Sequence, residues 1–144
     1  MMNRWTRFFI GLALIGLVGA FAAPVLAEDD WRVTDQATIY WDAVTTLENG
    51  DPITADNGVL YAVYIRNTTG GEPIKVGSTQ ETSFVLTFEE EGKWRVGISA
   101  VRVTPTADLI ESATSWSDDP VAVAEGATFG VTHYIPLAAV RGLR

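Results

Sequence analysis

The chain has 144 residues, no cysteine, a single histidine and a formal net charge of −8. That length accommodates one domain of ordinary size, and a hydrophobic content of 47% excludes a disordered chain. The missing cysteine excludes a disulfide framework, a lipidated cysteine and a thiol nucleophile, so stability must come from a packed core.

The N-terminal segment reads as an export leader. Arg4 and Arg7 precede an uncharged apolar run from Phe8 to Ala23, Pro24 breaks it, and Val25-Leu26-Ala27 places small side chains where a signal peptidase must accept them. The run is about 16 residues, short of the ~20 that span a bilayer comfortably, which favours a cleaved leader over a retained anchor. Residues 1–27 are therefore expected to be a signal helix, and the mature protein to be secreted or periplasmic. Without Arg4 and Arg7 the remainder holds 8 basic against 18 acidic residues, a net charge of −10. Such a surface repels phosphate backbones and anionic headgroups, so neither nucleic acid nor, after leader cleavage, a membrane is an expected partner.

From Glu28 onward, short β-rich runs alternate with turn residues, and no long helical stripe occurs. Trp31–Val33 is a candidate first strand. Ala37–Ala43 alternates with Ile39 and Trp41 on one face. Asn49-Gly50-Asp51-Pro52 and Asn57-Gly58 are turn signals. Val59–Arg66 places Tyr61, Val63 and Ile65 together. Asn67–Gly71 turns into a short strand near Ile74–Gly77, and Thr82–Phe88 then brings Phe84, Leu86 and Phe88 into phase. After the charged turn Glu89–Gly92, Lys93–Val103 is the longest strand, with Trp94, Val96, Ile98 and Ala100 inward. A last strand is expected near Ser115–Ala124. The expected core is thus Ile39, Trp41, Tyr61, Val63, Leu86, Trp94, Val96 and Ile98.

In order and spacing these segments resemble a fibronectin type III domain of the variety common in exported bacterial proteins. The residues that carry the likeness are Thr38-Ile39-Tyr40-Trp41, Gly50-Asp51-Pro52-Ile53, Tyr61-Ala62-Val63-Tyr64-Ile65, Gly92 through Val101, and Ser112 through Ser117. The resemblance spans roughly Trp31 to Ala124 and implies an all-β, seven-stranded immunoglobulin-like/fibronectin type III β-sandwich over residues 28–124, following the N-terminal signal helix. It speaks to fold rather than function, because sandwiches host many unrelated roles. Where Trp94 stands, the family usually has a tyrosine whose hydroxyl bonds the backbone at the corner before the sixth strand. Trp94 can donate only through its indole N–H, so the corner must be held differently.

No catalytic machinery is legible. The lone His133 falls in the C-terminal segment, and no serine sits in a Gly-x-Ser-x-Gly elbow. Glu89, Glu90 and Glu91 share a tight turn rather than a cleft. Glu48, Asp51 and Asp56 share a loop but lack a calcium-loop pattern. Asn67-Thr68-Thr69 is a glycosylation triplet in form and a turn asparagine in its simpler reading. No enzyme activity, cofactor or metal is expected. Tyr64 and Arg95 lie on the outward phases of strands that share a sheet in the family fold, and they form a candidate binding face. Trp116 either meets a ligand or caps the sandwich edge. Residues 125–144 form a C-terminal tail that lies along its own domain, frays, or joins a neighbouring copy. Two functions fit: a non-catalytic module recognising a protein or glycan through a sheet face or loops, and a structural spacer self-associating through residues 125–144.

Overall fold

The computed structural model describes residues 29–144, so the expected leader lies outside the described residues. The strands are β1 (Asp30–Val33), β2 (Gln36–Tyr40), β3 (Gly58–Asn67), β4 (Ile74–Thr79), β5 (Ser83–Thr87), β6 (Gly92–Val103), β7 (Leu109–Glu111), β8 (Ser115–Trp116) and β9 (Phe129–His133). The only helical element among the described residues is a 3₁₀ turn at Ala124–Gly126, and no helix there is long and apolar enough to cross a membrane. The described residues are all-β.

Two sheets form. The larger runs β1-β9-β6-β3-β4, with β7 and β8 also on β6, and the smaller is the pair β2-β5. The spine is the antiparallel β3–β6 pair, in register from Gly58 opposite Val103 to Asn67 opposite Trp94. The other edge of β6 is shared end to end. β9 pairs with Gly92–Trp94, β8 with Gly97–Ile98 and β7 with Val101–Val103. β1 adds outside β9 in parallel, Trp31 opposite Gly130.

Local chemistry accounts for the connections. Gly50 takes φ +90°, its N–H bonds the Leu47 carbonyl at 2.9 Å, and the Asn49 side chain accepts the Asp51 N–H at 3.0 Å. This turn reverses the chain so that Thr46 and Pro52 bridge. At the corner before β6, the Trp94 indole N–H donates to the Glu90 carbonyl at 3.3 Å. A tryptophan thus ties the corner to backbone four residues upstream.

Alternation in β3, β5 and β6 delivers the core between the sheets. Val63, Ile65, Leu86, Phe88, Trp94, Val96 and Val131 are buried there. Tyr61 is also buried, and its ring meets Trp41 edge-on at 5.4 Å. Ile39, Trp41 and Ile98 pack against this core but are only half-buried.

Three expectations are corrected. The strand expected over Ser115–Ala124 shrinks to Ser115–Trp116, because Asp118, Asp119 and Pro120 turn the chain away: Asp119 N–H bonds the Trp116 carbonyl at 3.0 Å and Val121 N–H bonds the Asp119 carboxylate at 2.9 Å. The next strand on that edge of β6 is β9, so the segment expected as a tail lies along its own domain as far as His133, one of the readings given for it. His133 is accordingly inside the fold, 7% exposed on β9. Trp41 lies just beyond β2 and is only partly covered, since among the described residues no strand pairs with the β2 edge away from β5.

Beyond His133 the chain is exposed. Ile135, Leu137, Val140 and Leu143 are 60%, 96%, 80% and 87% exposed, and the Ile135 N–H is held by Glu91 Oε1 at 2.7 Å.

Candidate functional site

Two regions compete for the role. The first is the outer face of the larger sheet, where the sequence-derived candidates fall. Tyr64 lies opposite Gly97, and Arg66 lies opposite Arg95. Trp116 sits over Gly97, where a Cβ would stand 2.7 Å from its Cε3 atom, and Trp31 covers Gly130 in the same way. Bare glycine backbone lets both indoles lie flat on the sheet. Cations then stack on them: Arg66 is 4.1 Å from the centroid of Trp116, while Arg95 and Lys93 are 4.2 and 4.8 Å from Trp31.

The polar groups of this face are engaged internally. Arg95 forks onto Asp29 at 2.6 and 2.8 Å and also donates to the Phe129 carbonyl at 2.8 Å. The guanidinium, joined by the Thr128 hydroxyl, holds the Asp29 carboxyl far below the usual carboxylate range, and Asp29 in turn raises Arg95. Arg66 places one nitrogen 2.7 Å from both oxygens of Asp118. Tyr64 and Ser99 both donate to Glu111 Oε1 at 2.5 Å, which lowers Glu111 and raises Tyr64. Tyr64, Arg95 and Trp116 therefore share one face, but as members of a saturated cation–aromatic and carboxylate network.

The second region is a cleft of about 580 Å³ between the sheets. Its floor is Tyr61, Val96 and Ile98, one wall is Ile39 and Trp41, and the far rim is Ala122–Ala124. It exists because the smaller sheet has only two strands. β1, which precedes β2, pairs with β9 in the other sheet, so among the described residues no strand pairs with the side of β2 away from β5. Trp41 N–H bonds Thr82 and Asp35 C=O accepts from Phe88, both on the β5 side. The backbone groups of Thr38 and Tyr40 therefore point to the open edge. Among the described residues, the Trp41 indole Nε1 is buried without a hydrogen-bond partner. A buried donor of this kind costs about 1–3 kcal/mol until an acceptor arrives. The Val44 N–H bonds the Tyr61 hydroxyl at 2.9 Å, which ties the chain beyond Trp41 to the cleft floor.

No family model, curated protein or solved structure matches the chain. The reading of the site therefore rests on its geometry. An apolar groove beside a free strand edge can take an extended chain that supplies backbone groups to the edge and apolar side chains to the groove. It offers no nucleophile–base pair, and among the described residues no three His, Asp or Glu side chains are placed to share a metal ion. Sequence reasoning missed the cleft. Its one available signal was Trp41, a large aromatic at the end of a run with nothing downstream in phase to cover it.

Proposed function

We propose that the chain is an exported, non-catalytic binding module built on an immunoglobulin-like, fibronectin type III-like sandwich, and that it recognises an extended apolar segment of a protein in the cleft beside β2. The leader pattern Arg4–Ala27 supports export, to the periplasm or the exterior. The arrangement of β2 and β5 against β9, β6, β3 and β4, with Trp94 tied to the corner, supports the sandwich assignment. The free edge of β2, where Thr38 and Tyr40 present their backbone groups beside an apolar cleft, carries the binding reading. A protein segment fits better than a glycan, because the cleft is lined mainly by apolar side chains, whereas the polar sheet face around Tyr64, Arg95 and Trp116 is internally satisfied.

A second reading, a structural or assembly module joined through its C-terminal segment, is favoured by one specific observation: the unburied Leu137, Val140 and Leu143.

The test uses the mature chain carrying Leu137→Asp, which makes the exposed segment polar and leaves the cleft untouched. Titration with a panel of ten-residue peptides of alternating apolar and polar side chains should shift the Trp41 indole resonance. Ala122→Trp, added at the exposed rim, should abolish the shift by filling the cleft. Soluble oligosaccharides that bind and move the Trp31 resonance while leaving Trp41 unmoved would place the site on the sheet face.

A further inference from the structure

Resting on that reading of the cleft, we infer that its occupant is the C-terminal segment Pro136–Leu143 of a second copy of this chain, so that molecules join head to tail. Leu137, Val140 and Leu143 are almost wholly exposed in the single chain, large apolar side chains with nothing to cover them. A segment of that length spans ~26 Å when extended. This is enough to follow the five-residue β2 and pass Trp41 into the cleft. The first residue of the segment, Pro136, has no N–H to leave unpaired, as suits the end of an added strand. Its backbone groups can pair with those of Thr38 and Tyr40 on the free edge of β2.

Charge agrees. The segment after Ile135 carries Arg141 and Arg144 and no acidic residue, while the rest of the mature chain is strongly acidic and Asp42 stands at the cleft. Direction favours a neighbour over the segment's own cleft. β9 ends beside Gly92, where Glu91 holds the Ile135 N–H, whereas the cleft lies against Val96, Ile98 and Ala100, farther along β6. A segment donated from one end to a cleft at the other is a heterologous contact, which extends as a chain or closes as a ring.

Two variants of the mature chain separate the halves of the contact. Leu137→Asp spoils the donated segment, and Ala122→Trp fills the acceptor. The parent should show a sedimentation mass that rises with concentration past the dimer. Each variant alone should be a monomer with a thermal midpoint close to the parent's. An equimolar mixture of the two should form a 1:1 dimer, since one intact tail then meets one intact cleft. A mixture that stays monomeric overturns the inference. If Leu137→Asp alone shifts the Trp41 indole resonance while the parent is monomeric, the segment occupies its own cleft, which also overturns it. Retained peptide binding by Leu137→Asp alongside a monomeric mixture leaves the binding module standing without this occupant. Loss of both removes the cleft reading itself.

Discussion

Trp94 and Trp41 have the same residue type and the same inward phase, yet they do different work. Trp94 is 4% exposed, packs on Phe88 at 6.3 Å and closes the corner with its indole N–H. Trp94→Ala should cost ~3–5 kcal/mol in a denaturant titration, as deletion of a buried aromatic does. Trp41→Ala should cost less, about 2 kcal/mol, because part of its ring faces the cleft and its N–H has no bond to lose. Equal losses would show that the cleft is closed in solution. Gly97→Ala should destabilise by about 1–3 kcal/mol although it adds only a methyl, since Trp116 and Thr114 both stand 2.7 Å from the new carbon. The Asp29–Arg95 pair adds a pH dependence. The folded carboxyl titrates far below its unfolded counterpart, so its contribution is fully present above pH ~4 and is lost as pH falls through the lower folded value. The Asp29 side chain is 41% exposed, so solvent and salt keep the effect modest. Melting measured from pH 7 down to 2 should fall more steeply for the parent than for Asp29→Asn.

Among the elements, β9 shows best where pattern reading stops. Phe129–Ile135 alternates well enough to pair as a strand, yet a pass along the sequence closes the sandwich at Ala124 and leaves this segment as an addition. The structure inserts this strand between β1 and β6 and buries Gly130, Val131, Thr132 and His133. A chain ending at Ala124 would lose the strand that holds β1 and would bare the Gly92–Trp94 end of β6. It should fail to show a cooperative thermal transition. A chain ending at Ile135 keeps every strand and should melt within a degree or two of the parent. If the shorter chain folds as well as the longer one, β9 is an accessory rather than a core strand. The short β8 makes the complementary point. Ser117 extends it by two bonds to Val96, its N–H donating to the Val96 carbonyl at 2.8 Å and its hydroxyl accepting the Val96 N–H at 3.0 Å. A serine thus stands in the core where an apolar residue would be expected.

For the whole molecule, N-terminal sequencing of exported material should begin at Glu28, and intact Met1 in a membrane fraction would make the protein a tethered domain instead. The all-β class, the positions of β2 to β6, and the inward set Tyr61, Val63, Leu86, Trp94 and Val96 were legible in the sequence, because each is a local period-two pattern bounded by turn residues. The leader pattern is local in the same sense. What only the tertiary structure decided was partnership. Alternation states which face a side chain takes, but not which strand lies alongside. The parallel docking of β1 on β9, the three-way sharing of the β6 edge, and the open side of β2 were therefore invisible in any window of residues. Tyr64 and Arg95 were placed on the outer face by phase alone, and Trp116 was left between an edge cap and a ligand contact. That Asp29 and Glu111 engage Arg95 and Tyr64 while Arg66 covers Trp116 depends on residues up to 66 positions apart. The cleft is the sharpest case: it is defined by a strand that went to the other sheet, and a missing neighbour leaves no local pattern to read.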